Sequence, residues 1–129
     1  MSITVKSSSR QSIKGGFSRT GTFADLLVGH VRERGGRASS VYGAARIDRR
    51  TYSSIISHPF RAVSKRTAIQ FALALRLTRK EADRLLMAAG YALSPSIPED
   101  IVFAGAISEG VYDMFKVSER LEAHGMKPV

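Results

Sequence analysis

The feature that most restricts the fold is the recurrence of helix start and stop signals from residue 22 to residue 125. Stretches with apolar residues at helical spacing are bounded by Ser, Thr or Asp residues that can cap a helix and by Gly or Pro residues that end one. No stretch of the sequence sustains the alternation of apolar and polar residues that is typical of a strand. The sequence therefore predicts an all-α fold built from short helices.

Seven helices are predicted, over residues 23–34, 39–45, 48–57, 65–77, 79–89, 99–109 and 112–124. Thr22, Asp48 and Ser64 are the expected caps of the first, third and fourth helices. Thr78 and Glu81 have the spacing of a capping box at the start of the fifth helix. Glu99, Asp100 and Asp113 also stand at predicted helix starts, and capping is the role that we expect for them.

Length and charge suggest how the chain is organised. At 129 residues it fits a single domain, without cysteine and without the 18 consecutive apolar residues of a spanning helix. Residues 1–80 contain 16 Lys or Arg and three acids, whereas residues 81–129 contain four Lys or Arg and eight acids. Within the overall charge of +9, this asymmetry favours a basic surface for a polyanion. The alternative is a basic protein whose charges are scattered at random.

Three segments follow from these patterns. Residues 1–21 are rich in Ser and Gly, carry four positive charges and no acid, and are predicted to be a flexible basic arm. Residues 22–93 form the predicted five-helix domain, and residues 94–129 form a helical C-terminal extension. No N-terminal apolar segment of a secretory signal is seen, and the expected location is the cytoplasm, associated with the nucleoid.

The stretch ASSVYGAARIDRRTYSSIIS, residues 38–57, has the pattern of a helix-turn-helix. Val41, Ala45 and Ile47 are expected to face inward, as are Tyr52, Ile55 and Ile56 of the second helix. The outer face of that helix, residues 48–57, contains two arginines and three serines and no acid after its cap. These residues are Arg49, Arg50, Ser53, Ser54 and Ser57. Arginine is the commonest specific reader of guanine in the major groove.

From Thr22 to about Leu93 the chain resembles the lambda-repressor-like (Xre-like, Cro-type) helix-turn-helix family of phage repressors and bacterial regulators. The segments IDRRTYSSI, SKRTAIQFALAL and LLMAAGYALS carry the resemblance. It implies a five-helix DNA-binding domain with base contacts from Arg49, Arg50, Ser53 and Ser54. It also implies phosphate contacts from residues beside the second and fourth helices: Arg37, Ser39, Ser40, Ser57, Arg61, Ser64, Lys65 and Arg66.

The sequence departs from this family at two positions. Arg46 stands in the turn where the family usually has a glycine in the left-handed conformation, which implies some steric cost. Tyr42 replaces the small residue that is usual inside the second helix. The angle between the second and third helices is therefore expected to differ from the usual one.

No catalytic or metal-binding pattern was found. His30, His58 and His124 are too scattered in the sequence to make a metal site, and packing or surface positions are expected for them. We therefore predict no cofactor, no metal and no enzymatic activity.

The C-terminal extension has a second apolar pattern. Val111, Tyr112, Phe115 and Leu121 recur at near-helical spacing, which predicts either a self-complementary dimer interface or packing on the chain's own domain. The predicted function is a homodimeric transcriptional repressor that binds a palindromic double-stranded DNA operator. The alternatives are an RNA-binding module and an antitoxin-like protein-interaction module. No membrane partner is expected, and the sequence does not indicate an inducer.

Overall fold

The structure, a computed structural model, describes residues 21–129, and every regular element within that range is an α-helix. The seven helices are α1 (Phe23–Glu33), α2 (Ala38–Ala44), α3 (Arg49–Ser57), α4 (Lys65–Ala74), α5 (Arg79–Ala88), α6 (Pro98–Ser108) and α7 (Met114–Ala123). The all-α prediction is therefore confirmed over the described range. No helix in that range is both long and apolar enough to cross a membrane.

Side-chain caps begin five of the helices at the residues that the sequence predicts, and α7 is described below. The side chains of Thr22, Asp48 and Ser64 each accept a hydrogen bond from the backbone N–H three residues further on. At α5 the capping box is present, because Thr78 Oγ1 accepts from the Glu81 N–H at 3.2 Å and Glu81 Oε1 accepts from the Thr78 N–H at 3.0 Å. These contacts satisfy N–H groups that have no partner inside a helix.

The start of α6 differs from the prediction. The residue before α6 is Ile97, which makes no side-chain capping bond, and neither Glu99 nor Asp100 caps the helix. Asp100 is instead buried, with only 2% of its surface exposed, and its Oδ2 lies 2.7 Å from Lys65 Nζ of α4. Capping was therefore the wrong role for these two acids. Asp113 does cap α7, as predicted.

Six of the helices end at a residue in the left-handed conformation. In each case the backbone N–H of the following residue donates to the carbonyl of the residue five positions before it. Four of these left-handed residues are glycines, but α2 ends at Arg46 (φ 60°) and α4 at Arg76 (φ 53°). The left-handed Arg46 was predicted, whereas Arg76 was not. Arginine costs more than glycine there, roughly 1–2 kcal/mol. Arg46 Nη1 donates to the Val129 carbonyl at 2.9 Å, and the Arg76 guanidinium lies 5.4 Å from the Tyr112 ring centre.

One hydrophobic core includes side chains from all seven helices. Large side chains without exposed surface come from the first helix, from the middle of the chain and from both C-terminal helices: Leu27, Phe71, Leu85, Phe103 and Leu121. The helices α6 and α7 pack on each other, and α6 also packs on α5. The predicted C-terminal extension therefore shares its core with the five preceding helices.

Candidate nucleic-acid interface

The helices α2 and α3 and the turn between them pack against α1 and α4. Ala45 is fully buried and Ile55 is 2% exposed, while Val41 and Ile47 lie on the same inner side. The inward-facing residues expected from the sequence are therefore confirmed. A side-chain hydrogen bond also joins α4 to the end of α2, because Gln70 Nε2 donates to the Ala45 carbonyl at 2.8 Å. The orientation of α3 is set by buried contacts on several sides.

Four aromatic rings pack in a row on the inner side of α3, one of them from α3 itself. The Tyr42 and Tyr52 ring centres are 5.2 Å apart, and Tyr52 lies 6.1 Å from Phe71, which in turn lies 6.2 Å from Phe23. Burial, and secondarily the neighbouring Tyr42, raises the pKa of Tyr52 above its ordinary value. Tyr42, the unusual residue inside α2, thus fills the space between α2 and α3.

The first turn of α3 is held by Asp48. Its Oδ1 accepts the Thr51 backbone N–H at 2.7 Å. That backbone bond, with smaller contributions from the Thr51 hydroxyl and the Arg50 charge, lowers the pKa of Asp48 below its ordinary value. The ionised cap also lies at the positive end of the helix dipole. The start of α3 is therefore most ordered when Asp48 is charged.

The outer face of α3 is exposed to solvent. Arg49, Arg50 and Ser53 are exposed and line one surface depression with Asp48. Neither arginine makes an ion pair or a side-chain hydrogen bond with any residue of the described range. Ser54 is only half-buried. The four residues predicted to contact bases therefore lie on α3, three of them fully open to a partner.

A second depression continues from the end of α3. Ser54, Ser57 and Arg61 line it together with His58, Pro59 and Phe60. Near the start of α2, Arg37, Ser39 and Ser40 are exposed, and the Arg37 side chain makes no capping bond. These residues are accessible, as phosphate contacts would have to be. Ser64 is exposed but also caps α4, where its Oγ donates to Thr67 Oγ1 at 2.9 Å.

Two of the residues that are predicted to contact phosphates have partners within the chain. Lys65 is paired with buried Asp100, as described above. Arg66 donates to Glu99 Oε2 at 2.7 Å and to the carbonyls of Lys127 and Pro128 at 2.6 and 2.7 Å. Both cations therefore attach α4 to the C-terminal part of the chain, and each is already neutralised by a carboxylate. A phosphate contact from either residue would have to compete with these bonds.

For the apolar pattern of the C-terminal extension, packing on the chain's own domain is confirmed for three of the four residues. Leu121 is fully buried in the chain's own core, and Val111 and Tyr112 are half-buried against it. The Tyr112 hydroxyl donates to the Leu77 carbonyl at 2.7 Å. Only Phe115 is open, with 65% of its surface exposed. The four residues therefore do not form one exposed stripe, although Phe115 remains available to a partner.

The remaining predictions concern the arm and metal ions. Apart from Gly21, the arm over residues 1–21 lies outside the described residues. Among the residues that are described, no group of three or more His, Cys, Asp or Glu side chains is placed to hold a metal ion. Comparisons with protein-family models, with curated proteins and with solved structures find no match for this chain.

Proposed function

We propose that this chain is a sequence-specific DNA-binding regulator in which α2, the turn and α3 act as a helix-turn-helix. The α3 helix enters the major groove of duplex DNA with Arg49, Arg50 and Ser53 toward the base edges. One observation carries the proposal: the inner side of α3 packs in the core, while its outer side presents two arginines with no partner in the described chain.

The contrast with other surface charges supports this assignment. On α5, Arg79 Nε lies 3.0 Å from Asp83 Oδ1, and Arg120 of α7 lies 2.8 Å from Glu109. Five Lys or Arg side chains of the described residues have a carboxylate partner of this kind, and Arg49 and Arg50 are among those that do not. Neither Arg49 nor Arg50 has an ion-pair partner among the described residues, and Asp48, the cap, is the acid that lines the same depression. A polyanion fits that surface best.

The chemistry of α3 suits bases as well as phosphates. A guanidinium group can donate two parallel hydrogen bonds to guanine O6 and N7, and each such pair discriminates against other bases by about 1–3 kcal/mol. Ser53 and Ser54 are short, so they allow the helix backbone to approach the DNA closely. Contacts from Arg37, Ser39, Ser40, Ser57 and Arg61 to phosphates would hold the register without reading sequence.

Duplex RNA fits this geometry less well, because the major groove of an A-form helix is too narrow for side chains on an α-helix to read. An antitoxin-like role, in which the chain binds another protein, would not depend on nucleotide sequence. A regulator that occupies an operator competes with other DNA-binding proteins for that site, and repression is the simplest outcome. The expected partner is therefore double-stranded DNA with a defined site.

Selection of bound molecules from a random duplex pool tests the proposal. We expect an enriched consensus sequence. On a fluorescent duplex with that sequence, Arg49→Ala or Arg50→Ala should weaken binding by about 1–3 kcal/mol, or about 5- to 150-fold. Arg84→Ala removes an exposed arginine of α5 and should leave affinity unchanged. No enrichment, or the same loss for Arg84→Ala as for the α3 variants, would contradict the proposal.

A further inference from the structure

A polar groove lies on the side of the molecule between α2, the end of α4 and the start of α7. We call it the α2–α7 groove. Its lining includes Gly43, Ala44, Arg46, Arg76, Asp113 and Phe115. Gly43 and Ala44 are exposed and small, so they leave the floor of the groove open to a bulky side chain. Phe115 stands at the edge of the groove, with 65% of its surface exposed.

The groove carries a net positive charge. Arg46 and Arg76 are the two arginines in the left-handed conformation that glycine takes at the other helix ends of this kind. Neither has an Asp or Glu partner among the described residues: Arg46 Nη1 donates to the Val129 oxygen, and Arg76 lies over the Tyr112 ring. The one acid in the groove is Asp113, whose Oδ1 already accepts the backbone N–H groups of Phe115 and Lys116 at 2.8 and 3.2 Å.

The outer face of α7 carries negative charge, opposite to that of the groove. Phe115, Glu119 and Glu122 are separated by four and three residues, so they lie on one side of the helix. All three are exposed, and neither glutamate forms an ion pair with a residue of the described range. An exposed aromatic ring with two carboxylates that form no ion pair thus adjoins, on the same chain, a groove with two guanidinium groups that have no Asp or Glu partner among the described residues.

We propose that a second copy of this chain binds here. Related by a two-fold axis, each copy inserts Phe115 into the α2–α7 groove of the other, and Glu119 and Glu122 face the partner's arginines. Such an interface is closed, because each copy supplies the aromatic ring and the groove. Charge complementarity selects a second copy over an unrelated partner. The proposal does not depend on DNA binding and is tested without DNA.

The first test is the mass of the protein in solution at tens of micromolar, measured by sedimentation equilibrium. The wild type should have the mass of two chains. Phe115→Asp should raise the dimer dissociation constant by about 30-fold or more, as loss of a central aromatic anchor does. Ile101→Asp is the matched control, because Ile101 is another exposed apolar residue (53%) of the C-terminal helices. That control should remain a dimer.

A single-chain mass for the wild type would overturn the proposal, as would an unchanged mass for Phe115→Asp. A dimer that Ile101→Asp dissociates and Phe115→Asp does not would place the interface on α6 instead. Circular dichroism shows that each variant is folded, and both substitutions are at exposed positions. Failure of this test leaves the DNA-binding proposal standing, because Arg49 and Arg50 are not part of the groove.

The second test exchanges charges between the two surfaces. One variant carries Glu119→Arg and Glu122→Arg, and another carries Arg76→Glu. In each variant the outer face of α7 and the groove then carry like charges, so two copies of the same variant repel each other. Mixed together, the arginine face of the first meets the glutamate groove of the second, and the reciprocal contact is close to that of the wild type. We expect each variant to be monomeric alone and the mixture to be dimeric. A monomeric mixture of folded variants would overturn the assigned contacts.

Discussion

Replacement of Leu121 by alanine tests whether the C-terminal helices share one cooperative core with the rest of the chain. Leu121 has no exposed surface, so the substitution removes buried methyl groups and leaves a cavity, at a cost of about 2–5 kcal/mol. For about 110 ordered residues the entropy of unfolding is roughly 0.23 kcal/mol per kelvin near the transition. A loss of about 3 kcal/mol should therefore lower Tm by about 13 °C.

Thermal unfolding followed by far-ultraviolet circular dichroism, at low micromolar concentration, measures this shift. Ile101→Ala on α6 is the control, because an exposed side chain outside the proposed dimer interface should change stability by less than about 0.5 kcal/mol, or about 2 °C. One transition, displaced as a whole, is the expected result for Leu121→Ala. An early transition of part of the helical signal, with the main transition at the wild-type temperature, would refute the shared core.

Two further predictions concern acids. Because the folded state lowers the pKa of Asp48, the stability that its charge contributes is present above the ordinary value of 3.8 and is lost as pH falls through the folded pKa. Asp48→Asn keeps a capping acceptor that does not titrate, so the Tm of this variant should fall less than the Tm of the wild type as the solution is acidified. Identical profiles of Tm against pH for the two proteins would contradict this prediction. Asp100→Asn leaves Lys65 without its buried carboxylate and should cost about 1–3 kcal/mol. Asp83→Asn, in an exposed pair, should cost less than about 0.5 kcal/mol, and equal losses would show that the buried pair has no special role.

Local features of the fold could be predicted from the sequence because they depend on neighbouring residues. The caps Thr22, Asp48 and Ser64 and the capping box at Thr78 bond N–H groups three positions away. The polar and apolar sides of α3 follow from helical spacing alone.

Contacts between distant parts of the chain could not be predicted in this way. Lys65 and Asp100 are 35 residues apart, and only the packing of α6 near the start of α4 brings them together. Asp100 precedes the apolar run of α6 and stands beside Glu99 in the first turn, so the sequence does not indicate which of the two acids is buried. For Leu121, helical spacing shows which residues share a face, but it does not show what covers that face. For the same reason the sequence could not predict the α2–α7 groove, because its lining residues come from three helices and the residues that adjoin them.

The most direct test of major-groove reading by α3 removes one atom from the DNA. In a selected site, 7-deazaguanine replaces each guanine in turn, which deletes the N7 acceptor that arginine uses. We predict that at one or two positions this change weakens wild-type binding but adds no further loss to Arg49→Ala or Arg50→Ala. Wild-type affinity that is insensitive at every guanine, or losses that add fully to those of both variants, would contradict the account.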